Sequence, residues 1–513
     1  MQTTTGSGLT CHNRGLLFHS EQIVIEAEVH RQLRAFLRSS GDRRWPHHLT
    51  LARLVARALR LQRGCLLQVT QRAVLHHRYG LSYLLPLLLY PEPALLVVPQ
   101  ERLTRLLHQK IPELLTFLAV AKPIQHSQYP QPAFEGVLVM SLEDWCRHTT
   151  VHPNVVTIID GIEALPQIAQ QQMTCTITTS DWEHLKLALP GAVDAIRQVY
   201  AQLVQHLLQR PHNPYGDYLL TPTEQQPLLE LLNQWPQGLP PQWSQLREYL
   251  NRSDTAIWGR RHPTVGYFTL QGHPLNLRPY FQGIWSQAPF VLIGSGPETD
   301  PPLAYVQQEL GIPPQTTIKF AGDRHSEAIT LSIAEDLPLP NTPEFAPAVL
   351  RRLYDLIGTI GHRRAVILVS DVPLREQLAT QLAALYGSRV QVEIPNLDTN
   401  TILVTGETFW LRHGAQLPCP ALFVLTTLPL PSPEKAVVSA RIEWHKQQKQ
   451  DWFRQYLLPE CLTVLDRALA PVRQDETLVA ILDRRLTERS YGREILQSLS
   501  PYNRVSDRAQ SPR

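Results

Sequence analysis

The stretch Val155-Val156-Thr157-Ile158-Ile159-Asp160-Gly161-Ile162-Glu163-Ala164-Leu165 decides the fold class. A run of β-branched apolar residues ends abruptly in an aspartate and a glycine. Such a run suits a strand covered on both faces inside a parallel sheet. The aspartate that ends it then falls on the carboxyl edge, where α/β sheets bind their ligands. In a nucleotide-hydrolysing motor a carboxylate in this place holds Mg2+ through water, and the next residue is a glutamate that positions the attacking water. Here the next residue is Gly161.

The segments around this strand carry the same rhythm. Upstream, Cys65-Leu66-Leu67-Gln68-Val69 and Ala94-Leu95-Leu96-Val97-Val98-Pro99 read as buried strands, with helical periodicity over residues 23–37, 51–59, 81–89 and 101–107. Alternating strands and helices predict a parallel sheet wrapped by helices. Downstream, residues 178–252 change character. They are rich in Gln and Leu, broken by prolines and without strand signal, and they read as a helical insertion in the first α/β domain. Strands return at 267–270 and 290–293, and a proline-rich stretch at 337–347 reads as a linker. A second α/β block follows, with strands expected at 365–369, 390–394, 401–404, 421–425 and 478–482. The expected organisation is an N-terminal helical extension (1–44, its opening residues without periodicity), a first domain (45–340) and a second (341–513).

At 513 residues the chain exceeds one core. Net charge is only +3, which excludes a globally basic nucleic-acid coat protein but allows local basic surfaces. Residues 31–90 carry eleven arginines against one acid, Asp42, a bias that suits phosphate or simply solvated helix faces. The six cysteines are scattered without a CxxC, as in a reducing compartment. The most apolar run, residues 81–89, is too short to span a bilayer and contains Pro86. A soluble, cytoplasmic protein with no membrane partner is expected.

The order of the motifs resembles the DinG/XPD family of superfamily-2 DNA helicases, over residues 45–501. The resemblance is carried by Thr408-Phe409-Trp410, Leu428-Pro429-Leu430-Pro431-Ser432-Pro433, Tyr456-Leu457-Leu458-Pro459, Ile481-Leu482-Asp483-Arg484-Arg485 and Ser490-Tyr491-Gly492-Arg493. Phe268-Thr269-Leu270 through Leu292-Ile293-Gly294-Ser295-Gly296 resembles the run into the family's third motif. The resemblance implies two tandem RecA-like domains, ATP with Mg2+ in the cleft between them, and single-stranded DNA across their top.

Set against that pattern, the engine's parts are missing. Counting back from Leu81-Ser82-Tyr83-Leu84-Leu85-Pro86, the phosphate-loop lysine position holds Tyr79 and the Mg2+-binding hydroxyl position holds Gly80, after a loop (70–78) that lacks glycine. Asp160 keeps the metal-associated acid, Gly161 replaces the catalytic glutamate, and Glu163 stands two residues beyond. Leu411-Arg412-His413-Gly414 replaces the acidic fifth motif. In Ala470-Pro471-Val472-Arg473-Gln474 the first arginine finger is absent and Arg473 is at best the second. His48 falls where the family places an adenine-reading glutamine. Only Cys146 lies in the interval where the family's iron–sulfur cluster needs four thiolates, so no cluster and no other metal site is expected.

The combined losses predict a helicase-fold protein with lost or much weakened ATP hydrolysis that still binds nucleic acid, single-stranded DNA above all, or a partner of the replication and repair machinery. Phe409, Trp410 and Tyr491 are candidate base-stacking residues, with packing of the second domain as their other reading. The alternatives are an active ATP-dependent helicase with phosphate contacts rebuilt from Arg72, His76, His77 and Arg78, and a scaffold that holds a protein partner through the insertion.

Overall fold

The computed structural model describes residues 25–505, apart from 41–44, 130, 132, 149–151, 263–266, 298–300, 314, 323–327 and 474–476. The opening residues expected to lack structure, and Gln474, lie outside the described residues.

Two seven-stranded parallel sheets form two lobes. In the first, the order is Thr316–Lys319, Cys65–Val69, Phe290–Ser295, Val156–Asp160, Ala94–Val98, Val137–Ser141, Ile124–His126. Its inner strands are buried at every residue because helices cover both faces. Ile25–Ser40, His48–Leu61 and Gly80–Leu89 pack on one face, and Leu142–His148, Leu165–Met173 and Arg278–Trp285 on the other. Each fully covered Leu, Ile or Val contributes about 1.5–3 kcal/mol. The helix expected as a separate N-terminal extension belongs to this core: Val29, Leu33 and Phe36 are buried against the rest of the lobe.

The second sheet runs Val390–Val392, Ile402–Thr405, Ala365–Leu368, Leu422–Leu425, Leu478–Ile481, Ile329–Ile333, Tyr502–Arg504. Ile329–Ile333 pairs with Leu478–Ile481, so this lobe begins before the proline-rich stretch and not at residue 341. The prolines there lead into the helix Phe345–Ile360 within the lobe.

The expected helical insertion also contains a strand. Helices Thr179–Ala188, Val193–Gln209, Pro222–Gln234 and Pro241–Leu250 pack on a four-stranded antiparallel sheet, ordered Cys175–Ile177, Tyr267–Pro274, Thr255–His262, Asp217–Leu219. Asp217–Leu219 is three residues long and too short to show a period. The sheet's other side carries Trp258 and Leu275 onto Ala436 and Ala440 of the second lobe's helix Ala436–Gln447.

A buried ionic contact made from this helix joins the lobes. Arg441 donates to the Glu309 carboxylate and lies 4.3 Å over the Tyr456 ring, and the Tyr305 hydroxyl donates to Glu460 at 2.9 Å. No described helix is long and apolar enough to cross a membrane.

Candidate functional site

The carboxyl edge of the first sheet faces the second lobe, and register fixes what stands there. Asp160 pairs with Ile293, which leaves Gly294 and Ser295 beside it, and Ser295 in turn pairs with Val69. The three segments that a nucleotide motor uses thus meet at one edge.

Asp160 is completely buried and surrounded by donors. Oδ1 accepts the Tyr79 hydroxyl at 2.5 Å. Oδ2 accepts the Tyr83 hydroxyl at 2.9 Å and Nη1 of Arg102 at 3.0 Å, and lies 3.2 Å from Nε2 of His77. Arg102 also donates to the Tyr79 oxygen at 3.0 Å. Burial pushes the Asp160 carboxyl up. The Arg102 charge and the hydrogen bonds from His77 and Tyr79 outweigh it, holding the group ionised well below the usual carboxylate range. Burial, with the Asp160 charge added, pushes the Tyr79 and Tyr83 hydroxyls well above their usual range, so both remain proton donors.

The loop before Tyr79 does not wrap an open nest. Residues Gln71–Leu75 form a helical turn, capped by the Thr70 side chain, which accepts from the Ala73 amide at 3.2 Å. His77 takes a left-handed conformation (φ 47°) that lays its ring over Gly80; a Cβ at Gly80 would lie 2.6 Å from the ring. Gly80 therefore makes room for His77, where the family pattern has a hydroxyl for the metal.

At Gly161 the backbone is left-handed (φ 87°), and a Cβ would meet the Pro99 ring at 2.8 Å. A glutamate at this position would be strained and blocked at its first carbon. Glu163 does not take its place. It turns toward the third motif, where its carboxylate accepts the Ser295 amide at 3.1 Å. Burial pushes it up to about 6, against the opposing pull of the Arg102 charge. The Ser295 hydroxyl donates to Gln71.

Of the remaining expected site residues, none reaches Asp160. His48 is buried, its Nδ1 2.9 Å from the Ser82 hydroxyl, with the Trp45 ring 5.3 Å away, so it lies beyond reach of a base. Arg473 is buried, donates to the carbonyls of Leu499 (2.9 Å) and Pro501 (3.4 Å) in the manner of a C-terminal helix cap, and lines a cavity with Thr70, Gln71 and Arg72. Trp410, expected as a candidate stacking ring, is 2% exposed, packs on Phe423 and donates from Nε1 to the Ala468 carbonyl at 2.8 Å. Phe409 and Tyr491 are half-buried against the same core. The residues that sequence reasoning missed are Arg102 and Tyr83. Their signal was indirect: a buried aspartate at a strand end needs a counter-charge, and Arg102 follows the neighbouring strand by one helical turn.

The Asp160 carboxylate is not free to receive a hydrated metal ion in this arrangement. Both oxygens of Asp160 already accept from protein donors, and Arg102 supplies the positive charge that a hydrated cation would bring. Among the described residues no group of three or more His, Cys, Asp or Glu is arranged to hold a metal. Cys146 is buried, and burial raises its thiol to about 12.

Residues 419–502 match the model of a helicase C-terminal domain. The chain is 24% identical over 266 residues to the ATP-dependent DNA helicase YoaA of Escherichia coli, a match that spans 49% of this chain and 42% of that relative. The chain thus covers less than half of that relative's length. Among solved structures, an XPD helicase (12% identity, TM-score 0.58) and Xpd4 of S. tokodaii (11%, 0.55) each align over 90% of this chain, with 98% and 100% of their own chains covered. At that identity the two structures show a shared fold, while the C-terminal domain and the YoaA relationship are carried by sequence. By sequence the chain is similar to a helicase C-terminal domain over residues 419–502 and to the DNA helicase YoaA, and by fold to XPD helicases, so that it resembles the DinG/XPD-type superfamily-2 helicases.

Proposed function

We propose that this protein binds single-stranded nucleic acid on a helicase fold and does not hydrolyse ATP. The observation that supports the reading best is the saturation of Asp160 by Tyr79, Tyr83, His77 and Arg102. A motor needs that carboxylate for its metal, a lysine where Tyr79 stands and a glutamate where Gly161 stands. Loss of one charge-stabilising group costs about two to three orders of magnitude in rate, and several are lost together around one cleft.

The relationship to a DNA helicase favours DNA over RNA; a role beside the replication and repair machinery, in the cytoplasm, is part of the same proposal.

The test is a phosphate-release assay with Mg·ATP and single-stranded DNA, paired with fluorescence anisotropy of a labelled oligonucleotide. The expected result is no turnover, with binding at low salt that weakens steeply as salt rises. Turnover that disappears in Asp160→Asn would overturn the loss of hydrolysis; absence of oligonucleotide binding at low ionic strength would overturn the nucleic-acid reading.

A further inference from the structure

A groove of about 770 Å3 opens between the lobes, over the buried Asp160 cluster. Its lining holds seven Arg or Lys side chains against two acids, Glu101 and Glu163. The cations come from both sides: Arg105 from the first lobe, beside Lys110, which pairs with Glu113 at 3.1 Å, and Arg412 and Arg467 from the second. Arg105 and Arg412 are exposed, and no described acid pairs with either. The groove's large aromatic, Trp410, is buried and offers no face for stacking a base. A wall rich in guanidinium without a stacking platform suits phosphate oxygens rather than nucleobases.

Phosphate chains in solution usually travel with a divalent cation. Here the carboxylate beneath the groove already holds Arg102, and Glu163 accepts a backbone amide.

We propose that this groove is a metal-independent site for a chain of phosphate groups, with arginines of both lobes carrying the charge. The proposal rests on the reading above that Asp160 no longer recruits a metal. The phosphates can belong to a nucleic-acid backbone or to a free polyphosphate; the chemistry of recognition is the same. A ligand held in this way bridges the two lobes.

The experiment uses the full chain at low salt, with inorganic tripolyphosphate followed by calorimetry and labelled oligo(dT) followed by anisotropy. Each is measured in EDTA and in excess Mg2+ at matched ionic strength. Tripolyphosphate is expected to bind in EDTA and to bind more weakly with Mg2+, which competes with the arginines. Arg105→Glu and Arg412→Glu, one in each lobe, are each expected to weaken binding about tenfold, the scale of a charged hydrogen bond. Arg197→Glu, on the insertion, is expected to change nothing, and unchanged melting curves establish that the variants fold. Tripolyphosphate binding that needs Mg2+, that ignores both groove substitutions, or that is absent overturns the site. If the substitutions weaken tripolyphosphate but leave oligo(dT) binding untouched, the groove stands as a site for free polyphosphate and the nucleic acid binds elsewhere; if neither ligand responds to them, the groove falls while the nucleic-acid reading stands. If tripolyphosphate alone binds and the groove variants weaken it, the groove stands and the nucleic-acid reading falls.

Discussion

The Tyr79 hydroxyl donates to Oδ1 of Asp160 at 2.5 Å, inside a pocket from which solvent is excluded. A buried, ionised carboxylate depends on each of its donors. Tyr79→Phe removes one and leaves the ring's packing in place. It is expected to cost about 2 kcal/mol in urea unfolding at pH 7. The sign with pH follows from the depressed Asp160 pKa. Its contribution is present above the unfolded value of about 3.9 and is lost as pH falls through the folded one. The variant therefore loses less stability than wild type on acidification below about pH 4.

Gly161 cannot be repaired by restoring the family's residue. Its φ of 87°, and the Pro99 ring 2.8 Å from where a Cβ would stand, oppose any side chain. Gly161→Ala is expected to cost about 1–3 kcal/mol, and Gly161→Glu to lower the melting temperature further without creating phosphate release. A Gly161→Glu protein that hydrolyses ATP would contradict the site described above.

Glu163 gives a second pH signature of opposite sign. Its carboxyl is pushed up to about 6. Between an unfolded value of about 4.3 and that folded value, the folded chain holds a proton that the unfolded chain has released. Stability from this group therefore falls as pH rises through that window. Because the side chain is half-buried, the effect is discounted to about 1 kcal/mol. Glu163→Gln keeps an acceptor for the Ser295 amide and should flatten stability between about pH 4 and pH 6, by about the same amount. Denaturant midpoints measured across that range check it.

The contact of Arg441 with Glu309 is buried on both sides. Removing one partner strands the other charge, so Arg441→Leu is expected to cost about 3–5 kcal/mol, whereas Arg441→Met with Glu309→Leu recovers most of that loss. Thermal unfolding of the single and double variants separates these outcomes. A double variant as unstable as the single one would show that the lobes need the charges themselves.

Much of the framework was legible because its strands are short apolar runs. Cys65–Val69 and Ala94–Val98 can be read directly from residue type, and Asp160 from the abrupt end of its strand. Ile329–Ile333 and Tyr502–Arg504 were not legible. The first contains Thr330 and Ser332, and the second, Tyr-Asn-Arg, is exposed over most of its length, as an edge strand can be. At the site, the missing lysine and glutamate could be read off the motif positions. What replaced them could not. Arg102 lies 58 residues from Asp160 in sequence, and only the parallel pairing of Ala94–Val98 with Val156–Asp160 brings them together. Trp410 illustrates the converse: a tryptophan in a recognisable motif reads as a stacking surface or, more readily, as core, and burial separates the two.

The strands Cys65–Val69 and Val156–Asp160 never touch; Phe290–Ser295 stands between them. The ribosome delivers that central strand only after the whole insertion has been made. Until then both neighbours present open edges of backbone donors and acceptors with apolar side chains on each face, the kind of segment from which chains aggregate. Long-range pairing of this sort is slow, because loop closure must precede any gain from contact. The carboxyl edge that gathers Asp160, Ser295 and Val69 is accordingly among the last features the first lobe acquires. A nascent chain halted within the insertion leaves Cys65–Val69 open on both sides and Val156–Asp160 open on one, and has no assembled site.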